Sequence, residues 1–142
     1  MLANRVAKLT LLFVLASVPV SVFVSEAGAK TRKIQAGSWG GDQIKVQVEA
    51  NKASIEYSCA HGTISGPLVV DSKGRFKLTG THTAEMGGPT RSDATARSRP
   101  AVYTGTVNGK KMTLTVTLTD SNEVAGTFTV VLGEESRLFR CM

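Results

Sequence analysis

Apolar and polar residues alternate with a period of two through most of the chain after about residue 30. The alternation is plainest from Met112 to Thr119, where Met, Leu and Val take turns with threonine. Successive side chains of a β-strand point to opposite faces, so this period fits a half-buried strand and does not fit a helix. The same pattern recurs between turn signals, and the sequence therefore predicts an all-β fold.

Turn residues divide the chain into eight predicted strands. Their approximate bounds are 39–50, 53–61, 68–70, 75–85, 101–107, 111–119, 124–132 and 137–141. Asn108-Gly109, between the fifth and sixth strands, is a strong hairpin signal. Eight strands joined by short turns can close as an up-and-down antiparallel barrel, which removes both sheet edges. A two-sheet β-sandwich is the alternative.

Three glycines fall on the predicted inward face of these strands: Gly80, Gly105 and Gly126. In one interpretation, glycine inside a strand relieves crowding or lets the strand bend. In the other, it leaves room for a ligand. An eight-stranded barrel has an interior that side chains can fill or that holds one small ligand. Both interpretations stay open at this point.

The first 29 residues have the form of a secretory signal peptide. Arg5 and Lys8 precede an uncharged apolar run from Leu9 to Ser25, and the small residues 27–29 follow it. This pattern predicts a segment 1–29 that is removed, a single domain at 30–142, and a periplasmic or secreted protein with no stable membrane anchor. The alternative is an uncleaved anchor, for which the run is short of the ~20 residues of a spanning helix.

The chain has two cysteines, Cys59 and Cys141, and both lie in the part predicted to be exported. An oxidising compartment favours a single intramolecular disulfide between them. A disulfide between two molecules, or two free thiols, are the alternatives.

The formal net charge is +6 at pH 7, which is basic but not extreme. The charges are spread along the sequence, and no run of Lys and Arg interleaved with aromatic residues is present. Such a run is typical of nucleic-acid binding. The sequence therefore predicts no nucleic-acid partner.

The opening Gly37-Ser38-Trp39 resembles the Gly-x-Trp signature at the start of lipocalins and other calycin barrels. In those families the Trp plugs one end of the barrel and a late basic residue packs across its ring. The resemblance implies this role for Trp39, with Arg137 or Arg140 against the indole in a cation–π contact. Avidin-like barrels match the length, but their biotin-binding Trp residues are missing.

The stretch from Tyr57 to Gly62 is similar to the Y-x-C-x-x-G stretch of bacterial lysozyme inhibitors of the MliC type. Those proteins are small exported eight-stranded barrels that also carry a cysteine near the C-terminus. The resemblance implies the fold and the Cys59–Cys141 disulfide. It does not carry the inhibitory activity, because their Lys-Gly motif has no clear match here.

Candidate binding residues cluster in two parts of the sequence. Alternation places His61 and His82 on the predicted apolar face, near Tyr57 in sequence. The long connection at 86–100 adds three basic residues, Arg91, Arg97 and Arg99. Loops of this length in compact domains are often functional, although a solvated excursion is the alternative.

No catalytic site is predicted. A nucleophile elbow, an activated cysteine and a specified carboxylate pair are all missing from the sequence. The two histidines come from different predicted hairpins, so no metal or cofactor site is expected either. We therefore expect a non-catalytic exported binding protein with an unknown small ligand at one barrel end. The alternative is a protein-binding module, such as an inhibitor of an exported hydrolase, that uses the 86–100 loop.

Overall fold

A computed structural model of the chain describes residues 28, 30–85, 97–139 and 141. The predicted signal segment, Arg140 and residues 86–96 of the long connection therefore lie outside the described residues, apart from Gly28. The described residues form ten strands. These are β1 (Arg32–Lys33), β2 (Gly37–Gly41), β3 (Ile44–Val48), β4 (Lys52–Tyr57), β5 (Ala60–Ser65), β6 (Val69–Val70), β7 (Arg75–Ala84), β8 (Ser98–Asn108), β9 (Lys111–Leu118) and β10 (Glu123–Leu132).

Eight of these strands close into a barrel in the order β10-β2-β3-β4-β5-β7-β8-β9. Every neighbouring pair is antiparallel. The predicted all-β, eight-stranded antiparallel barrel is confirmed, and the sandwich is excluded. The two short strands β1 and β6 pair with each other in a separate two-stranded sheet.

Strand β9 shows how the sequence pattern becomes the barrel wall. Its Met, Leu and Val side chains are buried, and the threonines between them are half-buried on the outer surface. Threonines on neighbouring strands meet across that surface, with 3.0 Å between the hydroxyls of Thr115 and Thr127. Such cross-strand pairs stabilise a sheet modestly, and the buried face supplies the larger part of its stability.

The eight barrel strands are not the eight predicted ones. The predicted strand 39–50 is a hairpin of β2 and β3, which turns at Asp42–Gln43, with Gln43 at a φ of 62°. The predicted strand 53–61 is also broken, because the chain turns at Ser58–Cys59 and continues as β5 through the segment expected to end it. Both turns lack the Gly and Pro residues that usually reveal a turn in sequence.

Two other predicted strands are not part of the barrel. The segment 68–70 contributes β6, which is too short for the wall and pairs with β1 instead. The segment 137–141 makes one isolated parallel bridge, between Asp42 and Arg137. The predicted number of strands is therefore right, although two of the predicted strands are each a hairpin and two others lie outside the wall.

The two ends of the barrel differ. At one end, called the closed end, the sheet of β1 and β6 covers the opening with the buried side chains of Ile34, Leu68 and Val70. The backbone N–H of Ile34 donates to the Leu68 carbonyl at 2.8 Å and fixes this cover. The opposite end, called the open end, carries the turns at 42–43, 58–59 and 119–122, and no second sheet covers it among the described residues.

Aromatic rings fill the space that inward glycines leave in the middle of the barrel. A Cβ on Gly62 or Gly80 would press against the ring or hydroxyl of Tyr103, and one on Gly105 would meet the ring of Phe76. Only about 20 Å³ remains open among the apolar side chains there. The inward glycines at 80 and 105 therefore relieve crowding, and the central interior is packed.

Strand β10 contains a β-bulge between Val124 and Gly126. The extra residue reverses the alternation, so Val124 points outward and is 58% exposed, whereas Gly126, Phe128 and Val130 keep the inward side. Unbroken alternation would place Val124 on the same face as Gly126, and the bulge is the reason that it lies on the other. No helix in the described part of the chain is long and apolar enough to cross a membrane.

Candidate functional site

The open end of the barrel holds a pocket of about 230 Å³. The strands β4, β7 and β10 each contribute an inward side chain to it: Tyr57, His82 and Phe128. The remaining lining residues belong to the turns and strand ends around the opening: Gln43, Ser58, Cys59, Ala60 and Ala125. Tyr57 and His82, two of the residues predicted to bind a ligand, both line this pocket.

Three rings form the wall of this pocket. The ring centroid of Tyr57 lies 5.4 Å from that of His82 and 5.2 Å from that of Phe128, with both pairs tilted. Tilted aromatic pairs at this separation attract each other. Phe128 also occupies the space beside Gly126, where a Cβ would lie 2.7 Å from the ring. The glycine thus allows the ring to lie at the pocket.

Two polar atoms in this wall are buried without a partner. Among the described residues, Nδ1 of His82 has no hydrogen-bond partner, and the hydroxyl of Tyr57 lies near that of Tyr103 without the geometry of a hydrogen bond. Nearly all buried polar groups in folded proteins are hydrogen-bonded, so two unsatisfied ones beside one cavity need a physical explanation. Both atoms are shielded from solvent by the surrounding side chains, so a molecule in the pocket that donates and accepts hydrogen bonds satisfies them only after the two side chains rotate towards it.

Both groups are uncharged near neutral pH, and burial favours this uncharged form in each. Desolvation raises the pKa of Tyr57 far above its ordinary range, and the adjacent Tyr103 hydroxyl raises it further. Desolvation also lowers the pKa of His82 below its ordinary value of 6.5, and the positive charge of Arg99 adds to this effect, followed by that of His61. The site therefore offers a neutral phenol and a neutral imidazole.

Arg99 lies at the rim of the opening, directly opposite His82 in the pairing of β7 and β8. Its guanidinium forms a two-point ion pair with Asp120, at 2.9 Å and 2.7 Å, and also donates to the Ser121 hydroxyl. This pair offsets part of the positive charge that Arg99 presents to the pocket, and the remainder still lowers the pKa of His82. Arg99 belongs to a strand, so the prediction of a loop reaching residue 100 is wrong.

His61 does not share the inward face with His82, and that prediction is wrong. The turn at Ser58–Cys59 shifts the alternation by one residue, so Ala60 and Gly62 are buried while His61 points outward. Its ring nitrogen lies 2.8 Å from a carboxylate oxygen of Glu85 on the outer surface. This position removes His61 from the pocket.

Of the other two predicted basic residues, Arg97 does not line the pocket. Arg97 is exposed immediately before β8, and Arg91 lies outside the described residues. Within the residues that the structure describes, no three His, Cys, Asp or Glu side chains come together in a group that could hold a metal ion.

A C-terminal strap, defined as residues 133–139 and Cys141, joins the rim of the pocket. It runs along the outside of β2 from the closed end, so closely that a Cβ on Gly40 would strike the backbone of Glu134. At the open end the Phe139 amide donates to the Ser58 hydroxyl at 3.1 Å, and Cys141 forms a disulfide with Cys59. The predicted Cys59–Cys141 bridge is present, with Cα atoms 5.3 Å apart.

Trp39 is fully buried, and its indole N–H donates to the Gln35 carbonyl at 3.1 Å. Gln35 belongs to the segment between β1 and β2, so the bond joins the core to the closed-end cover. Arg137 does not lie across the indole as the resemblance implied. Its side chain is exposed, and its backbone instead bonds Gly41 and Gln43 at the other end. Arg140 lies outside the described residues.

A larger depression of about 570 Å³ separates the strap from the outer face of β2, β3 and β4. Lys45, Glu56, Glu134 and Glu135 line it, and no buried unsatisfied side-chain atom faces it. It therefore lacks the unpartnered buried polar atoms that distinguish the open-end pocket.

Sequence reasoning identified Tyr57 and His82 but did not select Phe128 or Gln43 for the site. Phe128 carried a usable signal, because it lies on the predicted inward face two residues from an inward glycine. Gln43 carried none, since the turn that brings it to the rim was not predicted. No protein-family model, curated protein or solved structure significantly matches this chain.

Proposed function

We propose that this protein is a non-catalytic binding protein that takes up a small, uncharged, ring-containing ligand in the open-end pocket. The observation that carries the proposal is the pair of buried, unpartnered polar atoms on Tyr57 and His82 beside one cavity. An unsatisfied buried group costs roughly 1–3 kcal/mol. A ligand that bonds to both recovers that free energy and is held in a defined orientation.

The size of the cavity limits the ligand to about one ring. An apolar cavity of roughly 150 Å³ can hold benzene, and larger drug-sized ligands need roughly 300–1,000 Å³. A pocket of about 230 Å³ lies between these limits. Its aromatic wall of Tyr57, His82 and Phe128 favours a flat apolar body.

The charges around the pocket favour a neutral ligand. Tyr57 and His82 are both uncharged near neutral pH, and the nearest cation, Arg99, is paired with Asp120. A charged ligand would lose its hydration without gaining a counter-ion. A hydroxyl or an amide can instead both donate and accept, as these two partners require.

Export to an oxidising compartment accompanies this proposal. The Cys59–Cys141 disulfide is compatible with such a compartment. The N-terminal sequence has the form of a signal peptide, and the stretch from Tyr57 to Gly62 resembles exported lysozyme inhibitors. These features favour a periplasmic or secreted protein.

A titration with phenol tests the proposal, with toluene as the matched probe that lacks the hydroxyl. We expect phenol to shift the NMR signals of residues around Tyr57 and to bind at least tenfold more tightly than toluene. Tyr57→Phe and His82→Phe should each weaken phenol binding several-fold. His61→Gln, on the outer surface, is the control and should leave binding unchanged. Equal binding of both probes, or none, would contradict the proposal.

Exposed apolar residues on the C-terminal strap support a second candidate function, a protein-binding module. Phe139 is 61% exposed and Leu138 is 38% exposed, although the disulfide and the Ser58 bond hold this segment in place. Rigid exposed aromatic residues are typical anchors of protein interfaces. Isolation of a stable complex from the host's exported fraction that Phe139→Ser abolishes and Tyr57→Phe preserves would favour this second function.

A further inference from the structure

Positive charge is concentrated at the closed end of the barrel. Strand ends and turns bring together Lys and Arg residues that are far apart in sequence. Those without a carboxylate partner among the described residues are Arg32, Lys33, Lys73, Lys77, Lys110 and Lys111. Charges that are spread along the sequence are therefore gathered in the folded protein, because the up-and-down topology collects every second turn at the same end.

Two acidic residues at this end are already paired, and two others, Glu134 and Glu135, follow Gly133 at the start of the strap. Glu49 lies 3.2 Å from Lys52, and Asp71 lies 3.0 Å from Arg75. The Asp71 carboxylate also accepts two backbone N–H groups, which together with Arg75 lower its pKa. Glu49 and Asp71 are thus occupied, and the net charge of the end stays positive.

The cationic segments form one connected surface. A Cβ on Gly74 would lie 3.6 Å from the Arg32 guanidinium, so β1 lies beside the turn that carries Lys73. The Val107 amide donates to the Gly74 carbonyl at 2.7 Å, which joins that turn to the hairpin of Lys110 and Lys111. Potentials from neighbouring like charges add over a surface of this kind.

Among the described residues, this surface has charge but no large exposed apolar or aromatic side chain. In the described part of the chain, the large exposed hydrophobic residues are Val124, Leu138 and Phe139, and none lies at the closed end. A site for single-stranded nucleic acid needs aromatic side chains on which bases stack. Lysine-rich surfaces without them suit an array of anionic headgroups, at about 1 kcal/mol for each Lys or Arg near the bilayer.

The path of the chain points to the same partner. The apolar sequence from Leu9 to Ser25 precedes β1, and β1 is part of the cover over the closed end. The chain therefore enters the barrel at its cationic end, which is the end nearest to a membrane while the N-terminal sequence is inserted in one.

We propose that the closed end is a docking surface for the anionic headgroups of a phospholipid bilayer. The protein then lies on the membrane with β1, the 71–74 turn and the 108–111 hairpin against the lipid phosphates. Tyr57 and His82 lie at the opposite end, so the pocket faces away from the membrane and stays accessible to ligand. This surface is independent of what the pocket binds.

Vesicle sedimentation with the full chain tests the proposal, using phosphatidylcholine alone or mixed with phosphatidylglycerol. The N-terminal sequence, including Arg5 and Lys8, is common to all variants, so differences between variants report on the closed end alone. We expect at least tenfold tighter binding to the anionic vesicles. Raising the salt from about 0.1 M to about 1 M shortens the screening length from ~10 Å to ~3 Å and should abolish that preference.

Charge-matched variants assign the effect to one end. Lys33→Gln, Lys77→Gln and Lys110→Gln in one protein should weaken binding to anionic vesicles about 100-fold. The control replaces Lys45, Arg97 and Arg137 by Gln, which removes the same charge elsewhere and should change binding less than threefold. Equal losses in both variants, no lipid preference, or tighter binding to DNA than to anionic vesicles at the same salt would each overturn the proposal.

Discussion

Tyr103 is fully buried in the core and Tyr57 is partly buried against it, and their hydroxyls differ in hydrogen bonding. The Tyr103 hydroxyl donates to the Thr81 carbonyl at 2.6 Å, whereas the Tyr57 hydroxyl has no partner among the described residues. A satisfied hydrogen bond stabilises a fold by roughly 1 kcal/mol, and an unsatisfied buried group destabilises it. The Tyr103 hydroxyl therefore stabilises the fold, whereas the Tyr57 hydroxyl destabilises it.

Replacing each tyrosine by phenylalanine makes this difference measurable. We expect Tyr57→Phe to leave the free energy of unfolding unchanged or to raise it by up to about 1 kcal/mol. Tyr103→Phe should lower it by about 0.5–1.5 kcal/mol, since the Thr81 carbonyl loses its donor. Urea unfolding followed by circular dichroism gives both values. A loss of stability in Tyr57→Phe that equals that in Tyr103→Phe would argue against an unpaired hydroxyl.

His82 gives the open end a dependence on pH. Its pKa in the folded protein is lowered, so the unfolded chain takes up a proton at a higher pH than the folded one. The neutral ring makes its full contribution to the free energy of unfolding above about pH 6.5, the ordinary pKa of histidine. That contribution is lost as the pH falls through the lower pKa of His82 in the folded protein. We expect the His82→Gln variant to lose less stability between pH 7 and 5 than the native protein does. The control variant, His61→Gln on the outer surface, should lose as much stability as the native protein. A pH profile unchanged in His82→Gln would contradict the burial of its ring.

Trp39 is the single Trp of the chain, and it has no exposed surface. Removing a buried ring of this size leaves a cavity, so Trp39→Ala should lower the free energy of unfolding by ~3–5 kcal/mol. The emission of the native protein should be blue-shifted. Trp39→Phe should lose clearly less stability than Trp39→Ala. A red, water-like emission from the folded protein would show that the indole is exposed.

At the scale of strands and turns, the period of two predicted the fold class correctly. It predicted the strand boundaries less well. Strand β9 matches its sequence pattern nearly residue for residue, because Asn108-Gly109 fixes its start. The turns at Asp42–Gln43 and Ser58–Cys59 have no such signal and are set by the barrel, whose closure requires hydrogen-bonded strands on both sides. One missed turn was enough to place His61 on the wrong face.

The C-terminal strap is the element whose attachment can be tested most simply. The disulfide joins residues 82 positions apart, and on the chain-entropy estimate such a loop is worth about 4 kcal/mol as an upper value. We expect Cys141→Ser to lower the melting temperature, and reduction of the native protein to lower it by a similar amount. Reductant should have no further effect on Cys141→Ser. An unchanged melting temperature in both cases would show that the strap adds no stability.

At the scale of the whole molecule, the sequence predicted which residues face inward better than it predicted which strands become neighbours. The interior position of Tyr57 and His82 followed from alternation, but the pocket between them depends on which strands become neighbours around the barrel. The charges show the same limit. Arg32, Lys73 and Lys110 are far apart in sequence and meet only because their turns lie at one end, so no local pattern could have revealed the cationic surface.

The two ends of the barrel are suited to different roles. The packed, cationic closed end is suited to contact with a surface, and the open end carries the cavity with its two unsatisfied polar atoms. The binding role proposed for that cavity rests on one geometric feature, the approach of a single ligand to both Tyr57 and His82.

A crystal structure of the full chain soaked with phenol tests that feature most directly. We expect one phenol in the open-end pocket, its ring against Phe128 and its oxygen within hydrogen-bond distance of both the Tyr57 hydroxyl and Nδ1 of His82. An empty or water-filled pocket at saturating phenol, or a phenol whose oxygen contacts neither group, would contradict the proposed function.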